Sequence, residues 1–397
     1  MSAAIEFVLF GGVLAGIALL HRHALGIALG GLAMVACYKL AFTGFSAGPG
    51  VAGLSAHLLH EWVTLANLLG LLSGFALLAN HVHRSRLPEL LPRFLPNDWT
   101  GGFVLLALVF VLSSFLDNIA AALIGGTMAR AVYRDKLHVG YLAAIVAASN
   151  AGGSGSVVGD TTTTMMWIDG VSPVTVLDAY IAATVALCVF GVPAARQQQR
   201  YSPIVKDAPP GLAIDPVRLV IVGMVLVAAI GVNVAVNAHW TQRAGDFPFI
   251  GAALWSALLV TAGWRSPDFR LLPEALRSSA FLLALVLTAS MMPVHELPKP
   301  SAASTFALGF VSAVFDNIPL TAMALEQGGY DWGMLAYSVG FGGSMMWFGS
   351  SAGVALCGLF PQGRSVAAWL RQGWHVIVAY VVGFLALLAI LGWTPNT

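Results

Sequence analysis

Ser113-Ser114-Phe115-Leu116-Asp117-Asn118-Ile119 returns in the second half of the chain as Ser312-Ala313-Val314-Phe315-Asp316-Asn317-Ile318. Each copy sets an acid and an amide in the middle of apolar sequence. Each is followed by a glycine–serine break: Gly152-Gly153-Ser154 to Gly159-Asp160 in the first half, Gly342-Gly343-Ser344 to Gly349-Ser350 in the second. The doubled phrase marks an internal repeat, and its two copies read as two halves of one ion site.

The sequence around them belongs in a bilayer. Of 397 residues, 58% are hydrophobic and only 9% charged, where a soluble domain carries about 25% charged residues. A chain this apolar is an all-α polytopic membrane protein. A net charge of +1 with no long basic run excludes nucleic acid as a partner. Cys37, Cys188 and Cys357 lie in apolar stretches without paired spacing and are expected to be packing residues. The first stretch has no charged leader and no small-residue cleavage site, so it reads as a span.

Apolar stretches approaching the roughly 20 residues a helix needs to cross lie near 3–20, 24–42, 61–80, 137–168 (interrupted), 175–195, 217–236, 247–264, 278–293, 330–360 (interrupted) and 369–393. The stretches carrying the repeated phrase, 100–133 and 301–326, are each split by their Asp-Asn pair. They are either broken crossings or re-entrant hairpins, and loop charge decides between the two. Threaded as hairpins, one side receives every Lys and Arg except Lys39, Arg243 and Lys299. Threaded as crossings, the basic residues divide almost evenly. The charges therefore favour hairpins. About ten spans, two re-entrant hairpins and two broken helices follow, arranged as an inverted-repeat transporter. The first repeat covers 1–195 (hairpin 100–133, broken helix 137–168) and the second 217–397 (hairpin 301–326, broken helix 330–360). A cytoplasmic linker, 196–216, joins them, both termini are external, and the expected home is a bacterial inner membrane. Stretches 87–96 and 267–277 read as interfacial helices. Trp62, Trp99, Trp240, Trp264, Trp332, Trp369 and Trp393 read as interfacial anchors.

Irregular backbone at membrane depth survives only where protein buries it or a cavity hydrates it. The breaks free carbonyls and amides. Asp117 and Asp316 add carboxylates, Asn118 and Asn317 add amide oxygens, and Asp160 arrives with the hydroxyls of Thr161 to Thr164. Ser154, Ser344 and Ser350 complete the candidate set. Oxygen donors suit a small hard cation, so Asp117, Asp160 and Asp316 are the candidate sodium ligands. An acid inside a span is a functional candidate by default, although each of the three also fits a helix N-cap. Burial and like charges favour the protonated acid. Such acids would hold protons and release them when a cation binds, which is sufficient for antiport without a cofactor. His81 and His83 abut arginines and read as a polar boundary. His57, His60 and Glu61 read as a solvated face, and Asp169 as a surface residue. Glu296 and Glu326 flank the second hairpin, where acids would draw cations.

With Gly159-Asp160-Thr161-Thr162-Thr163-Thr164-Met165-Met166-Trp167-Ile168, Asp316-Asn317-Ile318-Pro319-Leu320-Thr321 and Gly349-Ser350-Ser351-Ala352-Gly353, the chain resembles the ion transporter superfamily beyond residue 60. Within it, the resemblance is to the NhaD-type sodium/proton antiporters with a citrate-transporter-like domain. That implies a homodimer whose hairpins and broken helices ride past a fixed scaffold as an elevator. It also implies Asp117, Asn118, Asp160, Thr161, Asp316 and Asn317 as ion or proton ligands. The chain departs from internal symmetry where Ser350-Ser351 stand in place of Asp160-Thr161, beside the bulky Trp347 and Phe348. Carboxylate-transporting members carry serine at the positions of Asp117 and Asp316. With no Lys or Arg in the tips or breaks, a polyanion would meet acids uncompensated. Sodium/proton or lithium/proton exchange is thus expected, with sodium-coupled di- or tricarboxylate or other anion transport as the alternative. A passive channel also remains open. An intramembrane aspartyl protease would need glycine at Val157 and leaves the repeat unexplained, so no enzyme is expected.

Overall fold

The computed structural model describes residues 2–20, 23–205, 213–240 and 245–395. Arg22, Lys206 and Arg243 of the charge pattern, and Pro209 to Gly211 of the linker, lie outside the described residues. Among those described, the secondary structure is helical, with one isolated bridge between Phe45 and Gly48.

The first part holds α1 (Ser2–Leu19), α2 (Ala24–Tyr38, extended by a π-turn over Lys39–Thr43) and α3 (Gly50–Arg84). Then come α4 (Trp99–Ser113), α5 (Asn118–Tyr133), α6 (Val139–Ser154), α7 (Thr161–Ile168) and α8 (Ala179–Tyr201). The second part holds α9 (Pro216–His239), α10 (Phe249–Thr261), α11 (Leu272–Ser290), α12 (Ala302–Ser312), α13 (Asn317–Gln327), α14 (Trp332–Gly342), α15 (Ser351–Leu359), α16 (Val366–Gln372) and α17 (Trp374–Leu391). Among the described residues, six helices are long and apolar enough to cross a membrane: Ala24–Thr43, Gly50–Arg84, Pro173–Tyr201, Pro216–Val236, Phe269–Ser290 and Trp374–Leu391. This is a helical membrane protein.

Two boundaries differ from expectation. The helix expected at 61–80 runs for 35 residues, about 52 Å at 1.5 Å per residue. It therefore brings His57 and Glu61 into the interior, where both are buried and only His60 is exposed. His57 Nε2 lies 3.0 Å from Ser290 Oγ. A solvated face was expected there; the helix starts earlier than hydropathy suggests, and α11 covers it. The second expected interfacial helix is also not separate. Its C-terminal half is already the first turn of α11, started by Pro273 near the N-terminus of the helix, where the missing amide costs nothing. Of the expected anchors, Trp332 and Trp369 are buried. Of the cysteines, only Cys357 is buried.

The halves of the broken helices are too short to cross and are instead the most enclosed parts of the molecule. Every residue of α6 and every residue of α14 is buried. α6 packs on α4, α5 and α8, while α14 packs on α12 and α17. Small residues permit this contact. A Cβ at Gly152 would meet the Phe110 carbonyl oxygen at 2.0 Å, and one at Gly342 would meet the Gly309 carbonyl oxygen at 2.4 Å. Two hydroxyls lock the same crossings: Ser113 Oγ donates to the Ser149 carbonyl at 2.5 Å, and Ser312 Oγ to the Val339 carbonyl at 2.6 Å. A second, smaller core joins α1, α2 and α11 through Phe10, Val13, Val35 and Leu285, and reaches Met165 and Ile318.

At one end, Asp215 accepts from Arg265 at 2.8 Å and lies 3.5 Å from Arg218. Asp268 contacts Arg84 and Arg270. Hydrogen bonding from Arg265 holds the Asp215 carboxyl below its ordinary range, and Arg270 does the same for Asp268. These contacts tie the C-terminal end of α3 to the starts of α9 and α11. His81 belongs to this end: its Nδ1 lies 3.1 Å from an Arg218 nitrogen, so it is a boundary residue, as its neighbours implied.

Because the Phe110 carbonyl is helix backbone and cannot move aside, Gly152→Ala is expected to cost about 1–3 kcal/mol. Gly358→Ala, at a position with nothing within 4 Å, serves as the control. Thermal unfolding of the two variants in detergent, followed by fluorescence-detected size exclusion, measures the difference.

Candidate functional site

The repeated phrase forms matched helix starts. Helix α4 ends at Ser113, the chain turns, and Asp117 caps α5 by accepting from the Ile119 amide at 3.2 Å. Helix α12 ends at Ser312, and Asp316 caps α13 by accepting from the Ile318 amide at 3.1 Å. The broken helices restart in the same manner, at Asp160 for α7 and Ser350 for α15. Capping accounts for one acceptor on each acid. It leaves the others to be explained.

Asp160, 2% exposed, gathers the two halves. Its Oδ1 accepts from Asn118 Nδ2 at 3.3 Å, and its Oδ2 from Asn317 Nδ2 at 3.4 Å. Asn118 Nδ2 also donates to Asn150 Oδ1 at 3.1 Å. Asn150 Nδ2 in turn donates to Ser344 Oγ at 3.0 Å and Ser350 Oγ at 3.1 Å. One buried chain of amides, hydroxyls and a carboxylate thus links both Asp-Asn turns to both breaks. A Cβ on Gly340 would stand 3.3 Å from Asp160 Oδ2. Asn150 lies ten residues before Asp160, and Gly340 ten before Ser350. The first break therefore supplies the polar side chains, while the second supplies the space they occupy.

A cavity of 480 Å³ opens onto this cluster. Asp117, Asn118, Asp160, Thr161, Asn317 and Ser351 line it, together with Asn80 and the more exposed His83 and Glu274. Among the described residues, no Lys or Arg lines it. Asp316 stands apart from that cavity. Its Oδ2 accepts from Ser351 Oγ at 3.2 Å, and it faces a second cavity of 900 Å³ between α1, α11 and the turn before α13.

The structure thus joins Asp117, Asn118, Asp160, Thr161 and Asn317 around one cavity, and ties Ser344 and Ser350 in through Asn150. Ser154 lies beside Gly340 next to Asp160, but its hydroxyl donates to the Ala151 carbonyl at 2.8 Å. Nor are all the threonines available. Thr163 donates to the Ser156 and Asp160 carbonyls, and Thr164 to those of Val157 and Asp160. Those hydroxyls satisfy carbonyls freed by the break. Trp369, expected at an interface, instead donates its Nε1 to the Ser344 carbonyl at 3.2 Å. Asn150 was missed in the sequence. Its signal was an amide in an apolar half-helix, two residues before the glycines. Asp169 is exposed, as expected, and so is Glu326.

Fold and site define a helical membrane protein with a carboxylate–amide cluster enclosed between interrupted helices and reached from one cavity. Comparison with curated proteins gives its relatives. The chain is 27% identical to Sodium/proton antiporter 1 of Arabidopsis thaliana over 83% of this chain and 60% of that protein. It is 27% identical to Sodium/proton antiporter 2 of the same plant over 74% of each. It is 26% identical to the Na+/H+ antiporter NhaD of Alkalimonas amylolytica over 74% of this chain and 68% of that protein. No family model matches the sequence. Over most of its length the chain is thus similar to proteins named sodium/proton antiporters, one of them NhaD. It spans 60% of the first of these proteins.

Removing the Asn150 amide takes a donor from the buried Ser344 and Ser350 hydroxyls and an acceptor from Asn118. Asn150→Ala is expected to cost about 1–3 kcal/mol, read as a lower unfolding midpoint in detergent. Ser55→Ala, at an exposed hydroxyl, should leave stability within about 0.5 kcal/mol of the parent.

Proposed function

We propose that this chain is a secondary antiporter that exchanges a monovalent cation, sodium or lithium, for protons. The observation that carries this is a cavity that presents Asp117, Asp160 and amide and hydroxyl groups and, among the described residues, no Lys or Arg. A cation is stabilised there by charge and oxygen donors; a di- or tricarboxylate would meet acids with no fixed base to offset them. The names of the relatives agree with a cation/proton exchanger.

In this reading, Asp117, Asp160 and Asp316 hold either protons or the cation. Asn118, Thr161, Asn317, Ser344 and Ser350 supply or orient neutral donors. The amide nitrogens of Asn118 and Asn317 face Asp160. Each amide also carries an oxygen, so a half-turn of the side chain would offer that oxygen to an arriving cation. Competition of proton and cation for the same carboxylates then couples their movements without any resident cofactor.

The transport geometry belongs to the same proposal. The paired contacts of Ser113 with Ser149 and of Ser312 with Val339, and the paired close approaches of Gly152 and Gly342, support two repeats of one plan. The loop charges support inversion of one repeat against the other, with hairpins at 100–133 and 301–326. The Arg84, Arg218 and Arg265 contacts mark one end, which the positive-inside rule assigns to the cytoplasm. The cavity, with His83 and Glu274 in its wall, then opens inward. Exchange requires that the cluster next face the other side. We assign that step to movement of the interrupted helices past α1, α2 and α11 in a plasma-membrane homodimer, as the family resemblance implies.

Everted vesicles carrying an imposed proton gradient test this. Sodium or lithium should dissipate the gradient and citrate should not; the reverse pattern would overturn the assignment. Asp117→Asn, Asp160→Asn and Asp316→Asn should each abolish cation-dependent dissipation while the protein still inserts and purifies as the parent does. Normal exchange in all three would reduce the acids to helix caps.

A further inference from the structure

We propose that Glu274 is the carboxylate through which the transported cation enters, a role that rests on the antiport reading above. The two cavities approach different acids: the first reaches Asp117 and Asp160, the second reaches Asp316. Their walls nevertheless share Ile119, Leu123, Glu274, Ser278, Leu282 and Ser351. Glu274 is the one ionisable side chain in that shared set. It is exposed, it sits in the first turn of α11, and it enters no ion pair among the described residues.

The surroundings give this charge a direction. Arg277, one turn further along α11, lines the second cavity and not the first. A cation drawn towards Glu274 is therefore discouraged from the branch that leads to Asp316. It is admitted to the branch whose other charged members are Asp117 and Asp160, together with the titratable His83. A single fixed charge on the wall shared by the two cavities raises the local cation concentration and the rate of capture. It adds nothing to the chemistry at Asp117 and Asp160. Helix α11 packs on α2 and α3 and also on α13, so the carboxylate stands beside the interrupted helices that line the same cavity.

A glutamate in the first turn of a helix has an ordinary explanation, since it complements the helix dipole. That accounts for stability but predicts no effect on cation affinity. The two roles separate in transport kinetics. In everted vesicles at low ionic strength, where the Debye length is about 30 Å, Glu274→Gln should raise the apparent KM for sodium roughly threefold with the maximal rate retained. The difference should shrink as choline chloride is added, and Glu274→Asp should restore the parent value. Glu274→Cys, made with Cys37 and Cys188 replaced by serine, gives a second readout. A negatively charged sulfonate methanethiosulfonate reagent should lower KM towards the parent, and a trimethylammonium reagent should raise it further. An unchanged KM in Glu274→Gln at low ionic strength, or a fall in maximal rate alone, overturns the entry role. Absence of sodium-dependent exchange in the unmodified protein would strike the antiport proposal instead.

Discussion

Asp160 accepting from two asparagines, one from each half of the chain, is the interaction on which the site depends. An aspartate charge at the centre of a span costs about 3 kcal/mol, and hydrogen bonds to a charged group return about 1.5–3 kcal/mol each. The Asn118 and Asn317 donors and the Thr162 amide are therefore of the magnitude needed to keep the carboxylate inside the fold. No neighbouring base is required, and that leaves the site able to take a positive charge from outside.

This arrangement imposes a constraint on everything around it. Both asparagines must be delivered to one point by turns between helices, and every carbonyl freed at those turns needs a partner away from lipid. Thr163, Thr164, Ser114, Ser156 and Tyr180 meet that need in the first half. Trp369 meets part of it in the second. The complete burial of α6 and α14 follows from the same constraint. Half-helices cannot cross a bilayer alone, so the protein encloses them, and glycine at Gly152 and Gly342 lets neighbouring backbones close over them.

The two halves share a plan without being interchangeable. Where the first break carries Asn150 and Asp160, the second carries Gly340 and Ser350. The Asn150 amide reaches across to Ser344 and Ser350, and the Asp160 carboxylate lies against Gly340. The small residues of one half leave room for the side chains of the other, so two similar segments form one asymmetric cluster. Asp117 and Asp316, alike in local geometry, face different cavities and have different neighbours.

Much of this was legible from residues alone. Composition alone identified a helical membrane protein, because a chain with so few charges cannot cover itself for water. The doubled Asp-Asn turns and glycine breaks located the interrupted helices closely, because both depend on local backbone chemistry that neighbouring residues specify. Where partners come from distant segments, sequence was a poorer guide. It misassigned His57 and Glu61 because burial there depends on α11. It counted Ser154, Thr163 and Thr164 among free donors because local carbonyls claim their hydroxyls. It passed over Asn150 because an amide in an apolar helix has no meaning until its partners are known. The sequence by itself determined which groups could hold a charge inside the membrane. Only the tertiary structure decided which of them meet, since Asn118, Asn150, Asp160, Asn317, Ser344 and Ser350 come together through helix packing that no local pattern encodes.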